Sequence, residues 1–131
     1  MVLNTSTGEL MVLEGDIFNF QTNETYLESI QNKYKIEIHT TNTGSKYFTI
    51  HDLDNGNINL VFLFYNNSLE WLSISLGRKY NFPLFIITEE EKIILRKLLE
   101  SIGGENLYTW GSVKFNEDNK GGFVSIIIKF K

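Results

Sequence analysis

The 131-residue chain contains no cysteine, so disulfides and thiolate metal sites are excluded and a reducing compartment is expected. It has a single proline, Pro83, which opens the run "PLFII", read as a short extended segment. It has no basic run, and its formal net charge is −4 with a pI near 5.2. Nonspecific nucleic-acid binding depends on neutralising phosphates, so no direct nucleic-acid partner is expected. An acidic balance suits a basic protein partner better. No apolar run approaches the ~18 residues of a membrane-spanning helix. The N-terminal stretch "MVLNTSTGELMVLEG" has no basic residue, since the first lysine is Lys33, and polar residues break its apolar run from Asn4 to Glu9. No secretory signal is read there, and a cytoplasmic protein without membrane association is expected.

What is present suits one α+β domain spanning residues 1–131. Hydrophobic residues are 42% and charged residues 21%, ordinary values for a globular chain. A chain of this length buries roughly two-thirds of its unfolded surface, enough for a core without covalent staples. "ELMVLEG" reads as a short strand. "TNETYLESIQNKY", residues 22–34, places Tyr26, Leu27, Ile30 and Tyr34 at helical spacing behind a cap at Thr22 or Asn23. "KIEIHT" and "KYFTIHD" alternate, with Ile36, Ile38, Phe48 and Ile50 on one face. "NINLVFLFY" is apolar on both faces and is expected to be a central strand covered twice. "LEWLSISLG" sets Leu72, Ile74 and Leu76 on one face.

The plainest helix comes next. Thr88 and Glu91 form a T-x-x-E capping box. Glu89, Glu90 and Glu91 lie at the positive end of its dipole. Ile94, Leu95, Leu98, Leu99 and Ile102 make one stripe, and Gly103 and Gly104 end it. "NLYTWGSVKF" and "GGFVSIIIKF" close the chain as two strands of a hairpin around "NEDNKGG". The sum is an antiparallel sheet of about six strands with two helices.

Sites of chemistry are scarce. "HDLDNGNIN" resembles the start of a calcium loop. An EF-hand needs glycine at its sixth position and glutamate at its twelfth; counted from Asp52, those are Asn57 and Leu63. "DNG" between alternating runs reads instead as a hairpin turn. Pairing the two strands across "TNTGS" separates His39 and His51 by roughly 13 Å, at about 3.4 Å per residue, too far for one zinc ion. No nucleophile elbow, P-loop or dinucleotide fingerprint occurs. Glu14 and Asp16 are paired carboxylates only if something places them in a cleft. No catalytic residue, metal site or cofactor is expected. Trp71, Tyr108 and Trp110 are either anchors on an uncovered face or core beneath a covering helix.

The acidic cysteine-free domain, the strands of "NLVFLFYNNSLEWLSISLG", the capped helix "TEEEKIILRKLLESIGG" and the closing hairpin resemble the small immunity proteins of bacterial contact-dependent inhibition and related polymorphic-toxin systems. The resemblance implies a protein without enzymatic activity that binds and neutralises a cognate toxin, typically a basic nuclease domain. Candidate partner-binding residues are Asp52 and Asp54 at the hairpin turn, Glu70 and Trp71 on one strand, and Glu117 and Asp118 in the closing loop. A small-ligand or lipid-binding domain without catalytic activity is the alternative.

Overall fold

A computed structural model describes the whole chain, residues 1–131. Strands β1 (Val2–Leu3), β2 (Leu10–Met11) and β3 (Ile17–Phe18) form a small antiparallel sheet. Helix α1 (Glu24–Ser29) leads to β4 (Ile36–Thr40), β5 (Ser45–Asp52), the one-turn α2 (Leu53–Gly56), β6 (Ile58–Tyr65) and β7 (Ser68–Leu76). Helix α3 (Glu89–Ser101) precedes β8 (Asn106–Tyr108), β9 (Gly111–Asp118) and β10 (Phe123–Phe130). The large sheet is antiparallel, in the order β4-β5-β6-β7-β10-β9-β8. The fold is α+β as expected, but its seven-stranded sheet, three-stranded sheet and three helices exceed six strands and two helices.

The alternating sequences put one apolar row on each strand, and the register stacks those rows. Phe48 faces Phe62, Leu60 faces Ile74, and Ile74 faces Ile126, all fully buried. Leu95 and Leu99 of α3, Leu27 of α1 and Phe18 of β3 join the same cluster. The Phe18 ring lies 5.1 Å from that of Phe62. Both longer helices and the small sheet therefore cover one face of the large sheet.

The other face has no such cover. The sequence predicts a central β6 covered twice, yet Val61 and Leu63 are only half-buried and lie outside the core cluster. Their shelter comes from cross-strand neighbours. Leu63 is flanked in register by Tyr47 and Trp71, whose rings meet edge to face at 6.1 Å.

The structure departs from the sequence reading in three further places. α1 ends at Ser29, short of Tyr34. The chain turns there because Lys33 and Tyr34 both bond the Asp16 carboxylate. "NLYTWGSVKF" is not one strand: Thr109 and Trp110 form a tight turn between β8 and β9. Trp110 is held there by a stack on Tyr108 at 4.9 Å and by a 2.8 Å bond from Nε1 to the Thr5 carbonyl. Tyr108 and Trp110 thus pack at the edge of the core, while Trp71 stands on the uncovered face. Finally, "PLFII" is not extended throughout: it turns at Leu84 and Phe85, where Phe85 holds φ 64. No helix is long and apolar enough to cross a membrane.

The stretch "HDLDNGN" does turn the chain from β5 to β6. Asp52, Asp54 and Asn55 adopt left-handed backbone, at φ 58, 52 and 58. Asp54 departs from the expected exposed turn acid: it is only 7% exposed. Its Oδ1 accepts from the Leu13 N–H at 2.7 Å, and its Oδ2 lies 3.0 Å from the amino group of Met1. Its charge is used inside the fold. Asp54→Ala strands the Leu13 N–H and is expected to cost about 1–3 kcal/mol in urea melts. Asp54→Asn keeps an acceptor and tolerates the backbone, so it should cost less; equal losses would assign the effect to the carboxylate's charge alone. Leu95→Ala should cost about 2–5 kcal/mol.

Candidate functional site

Strand direction divides the sequence-predicted residues between two ends of the sheet. β5, β7 and β9 all finish at the end where β6 and β10 begin. Asp52, Glu117 and Asp118 lie at that end. Glu70 and Trp71 lie near the start of β7, at the opposite end, where the β6–β7 register shifts. The six candidates therefore do not form one surface.

The acids differ in what they hold. Asp52 is exposed, and its Oδ1 faces the Arg78 N–H at 3.4 Å. Glu117 sits 3.6 Å from Lys92 of α3. Glu117 and Asp118, expected in the closing loop, instead end β9, because the β9–β10 pairing extends to Asp118 opposite Phe123; Asp118 closes the short turn by accepting from the Gly121 N–H at 2.8 Å. Glu14 and Asp16 do not pair. Glu14 accepts from the Asp54 N–H at 3.2 Å. Asp16 accepts from Tyr26, Lys33 and Tyr34. Burial pushes the Asp16 carboxyl upward, but those three bonds together outweigh it and lower its pKa. Burial, then the bond to Asp16, pushes Tyr34 up to about 12. This cluster is internally satisfied. His39 lies opposite Tyr47 on the uncovered face, and His51 Nε2 is 3.4 Å from Glu37 but without hydrogen-bond geometry. No three His, Asp or Glu side chains gather closely enough to hold a metal ion.

The feature that sequence reading missed lies at the Asp52 end, between β7 and α3. Residues 81–87 make no hydrogen bond to the rest of the fold. Within them Leu84, Phe85 and Ile86 are 80%, 78% and 60% exposed. Three consecutive large apolar side chains in water mark an interaction surface more often than chance exposure. Phe85 also holds φ 64, a left-handed conformation that costs a bulky residue about 1–2 kcal/mol. The segment passes so close to Gly122 that a Cβ there would strike the Phe85 backbone. Glycine is required at that position both by this approach and by its own φ of 71.

Behind the segment is a cavity of about 340 Å³, lined among others by Tyr80, Phe82, Phe85, Phe123 and Glu91. Tyr80 and Phe82 stack at 6.1 Å with ring planes 10° apart. Tyr80 also borders a second cavity of about 430 Å³, lined by Asp54, Lys97 and Ser101. Thr88 caps α3 by accepting from the Glu91 N–H at 3.2 Å. The return half of the expected capping box falls short of hydrogen-bond geometry: the Thr88 N–H lies beside the carboxylate, but Glu91 is 7% exposed and its Oε1 has no partner. No Lys, Arg or His lies within ion-pair distance of it. Burial raises the Glu91 pKa, opposed by the neighbouring Thr88 backbone and hydroxyl. The signal available in sequence was "NFPLFIITEEE": an apolar run with no strand partner, running straight into a helix cap.

A raised pKa means that the folded state holds the proton more tightly than the unfolded chain. The stability so gained is complete below the unfolded value of 4.5 and is lost as pH rises through the folded value. Glu91→Gln removes the charge and keeps the packing. Chemical denaturation across pH should find the variant more stable than the natural chain at neutral pH, with the difference closing below 4.5. A variant less stable at neutral pH would mean that the carboxylate is satisfied after all.

With this geometry established, comparison of the chain with protein-family models, with curated proteins and with solved structures finds no match that would place it in a family.

Proposed function

We propose that the chain is a cytoplasmic protein-binding module that neutralises a basic partner without chemistry of its own, as the resemblance to immunity proteins implies. The supporting observation is the run Leu84, Phe85 and Ile86, exposed and free of hydrogen bonds, at an end of the sheet that also carries acids. Glu89 and Glu90 open α3 just beyond Ile87 and Thr88 and are exposed. Asp52, Glu117 and Asp118 share the same end. An apolar centre with a charged rim is the anatomy of a transient interface. Acid on the rim would steer a basic partner, such as a nuclease domain, into contact. In this reading Asp54 supports the rim from inside, and Glu70 and Trp71 lie outside the interface.

One observation favours a second reading, a small-ligand-binding domain: the cavity behind residues 81–87 has a volume within the range of known ligand sites.

The first partner to try is the product of any large toxin-encoding frame found directly upstream of the gene. Binding kinetics with that protein are the test. Phe85→Ala should raise the dissociation rate about tenfold or more and leave the melt nearly unchanged, since the ring is mostly exposed. Glu90→Gln with Glu117→Gln should slow association and flatten its salt dependence. If Trp71→Ala alone governs dissociation, the partner sits on the uncovered sheet face and the proposed interface is wrong.

A further inference from the structure

We infer that the cavity between residues 81–87 and α3 is a receptor for an organic cation on a short apolar stem, an alkylammonium or alkylguanidinium, whose charge meets Glu91. The inference does not rest on the protein-binding reading, because it is tested without a protein partner.

Four observations carry it. The carboxylate lining the cavity is more than nine-tenths buried, and its Oε1 is unpartnered. Such an oxygen leaves a desolvation cost standing until a donor arrives. Second, the walls are aromatic: Tyr80, Phe82, Phe85 and Phe123 all border the space. Ring faces attract cations and accept a methylene stem, and they offer nothing to an anion. Third, the lining holds no Lys, Arg or His, so nothing in the cavity neutralises Glu91 or repels a cation. Fourth, the cover can move without breaking bonds. Residues 81–87 make no hydrogen bond to the rest of the fold, so admitting a ligand to the shielded oxygen disrupts only van der Waals packing, the Phe85–Gly122 backbone contact included.

Other occupants fit worse. A hard divalent cation takes six or more oxygens, and Glu91 is the only carboxylate in the lining. A neutral apolar ligand would fill the space and leave the charge unpaired. The two sources of the cation, a free small molecule and a basic side chain of another chain, share the same headgroup and stem.

The experiment is an amide-resolved NMR titration with n-butylguanidinium, n-butylammonium, neutral N-butylurea, and an arginine tripeptide blocked at both ends. The expected result is saturable millimolar binding of both cations, with shifts at Glu91, Gly121, Gly122 and Val124, and none from the urea. Glu91→Gln should weaken binding about tenfold or more, while Glu100→Gln, exposed on the last turn of the same helix, leaves it unchanged. Because Glu91→Gln removes a buried charge, it is expected to fold, and its amide spectrum verifies this; Glu91→Asp, which keeps the charge on a shorter stem, gives an intermediate loss. Binding of the tripeptide as well assigns the site to basic side chains, and binding of the free cations alone assigns it to small molecules. Equal binding by the urea, an unaltered affinity in folded Glu91→Gln, or no saturable shift at these amides would overturn the inference.

Discussion

The Asp54 carboxylate holds two parts of the chain together that no strand pairing joins. It sits in the turn between β5 and β6 and bonds the Leu13 N–H from the connection between β2 and β3. Its own N–H donates to Glu14. These reciprocal bonds fix a left-handed turn, and the turn in turn anchors the end of β7. Gly77, just past that strand, packs so closely on Gly56 and Ile58 that a side chain would collide with their backbone. The Gly77 and Lys79 N–H groups bond Asn57 and Gly56. The chain is thus pinned up to Tyr80, and nothing bonds it again until Thr88 caps α3. The exposed apolar segment exists because its two ends are fixed and its middle is not.

The sheet buries one face only, and that asymmetry decides where polar groups go. On the covered face β5, β6, β7, β9 and β10 contribute aliphatic or phenyl side chains to the core. On the uncovered face the central strands carry Ser73 and Ser125, both buried despite the absence of a helix above them. Larger neighbours such as Trp71 and Ile127 shelter these small side chains. Rings leaning over smaller residues remove apolar area from water without another layer. Val61 and Leu63 on this face therefore need no second layer of helices.

Much of the fold was legible because strand alternation and helix capping are local signals. Four strands from β4 to β7 and the helix α3 can be read directly from side-chain period, and Thr88 caps where the T-x-x-E pattern puts it. What failed was non-local. The apolar outer row of β6 looks the same whether a helix or a pair of rings shelters it. Asp54 reads as an exposed turn acid because its partners lie about forty residues away in sequence, at Leu13 and Glu14. The break at Thr109 and Trp110 depends on a bond to Thr5, at the other end of the chain. The candidate site was illegible for the same reason. Its glutamate carries a normal capping signature, and only the tertiary surroundings of the cavity it lines make it a buried one.

Glu91 is the point where fold and function pull apart. At the third position of α3 a carboxylate gains from the helix dipole and from the Thr88 groups beside it. Those gains are available to an exposed side chain at the same position, without desolvation. Burial outweighs them here, since the pKa is raised and not lowered. The fold therefore carries a charge that its own stability does not favour, beneath the segment least secured by hydrogen bonds. A capping role accounts for a glutamate at this position but not for its burial beside an aromatic cavity. A cation arriving from outside accounts for both.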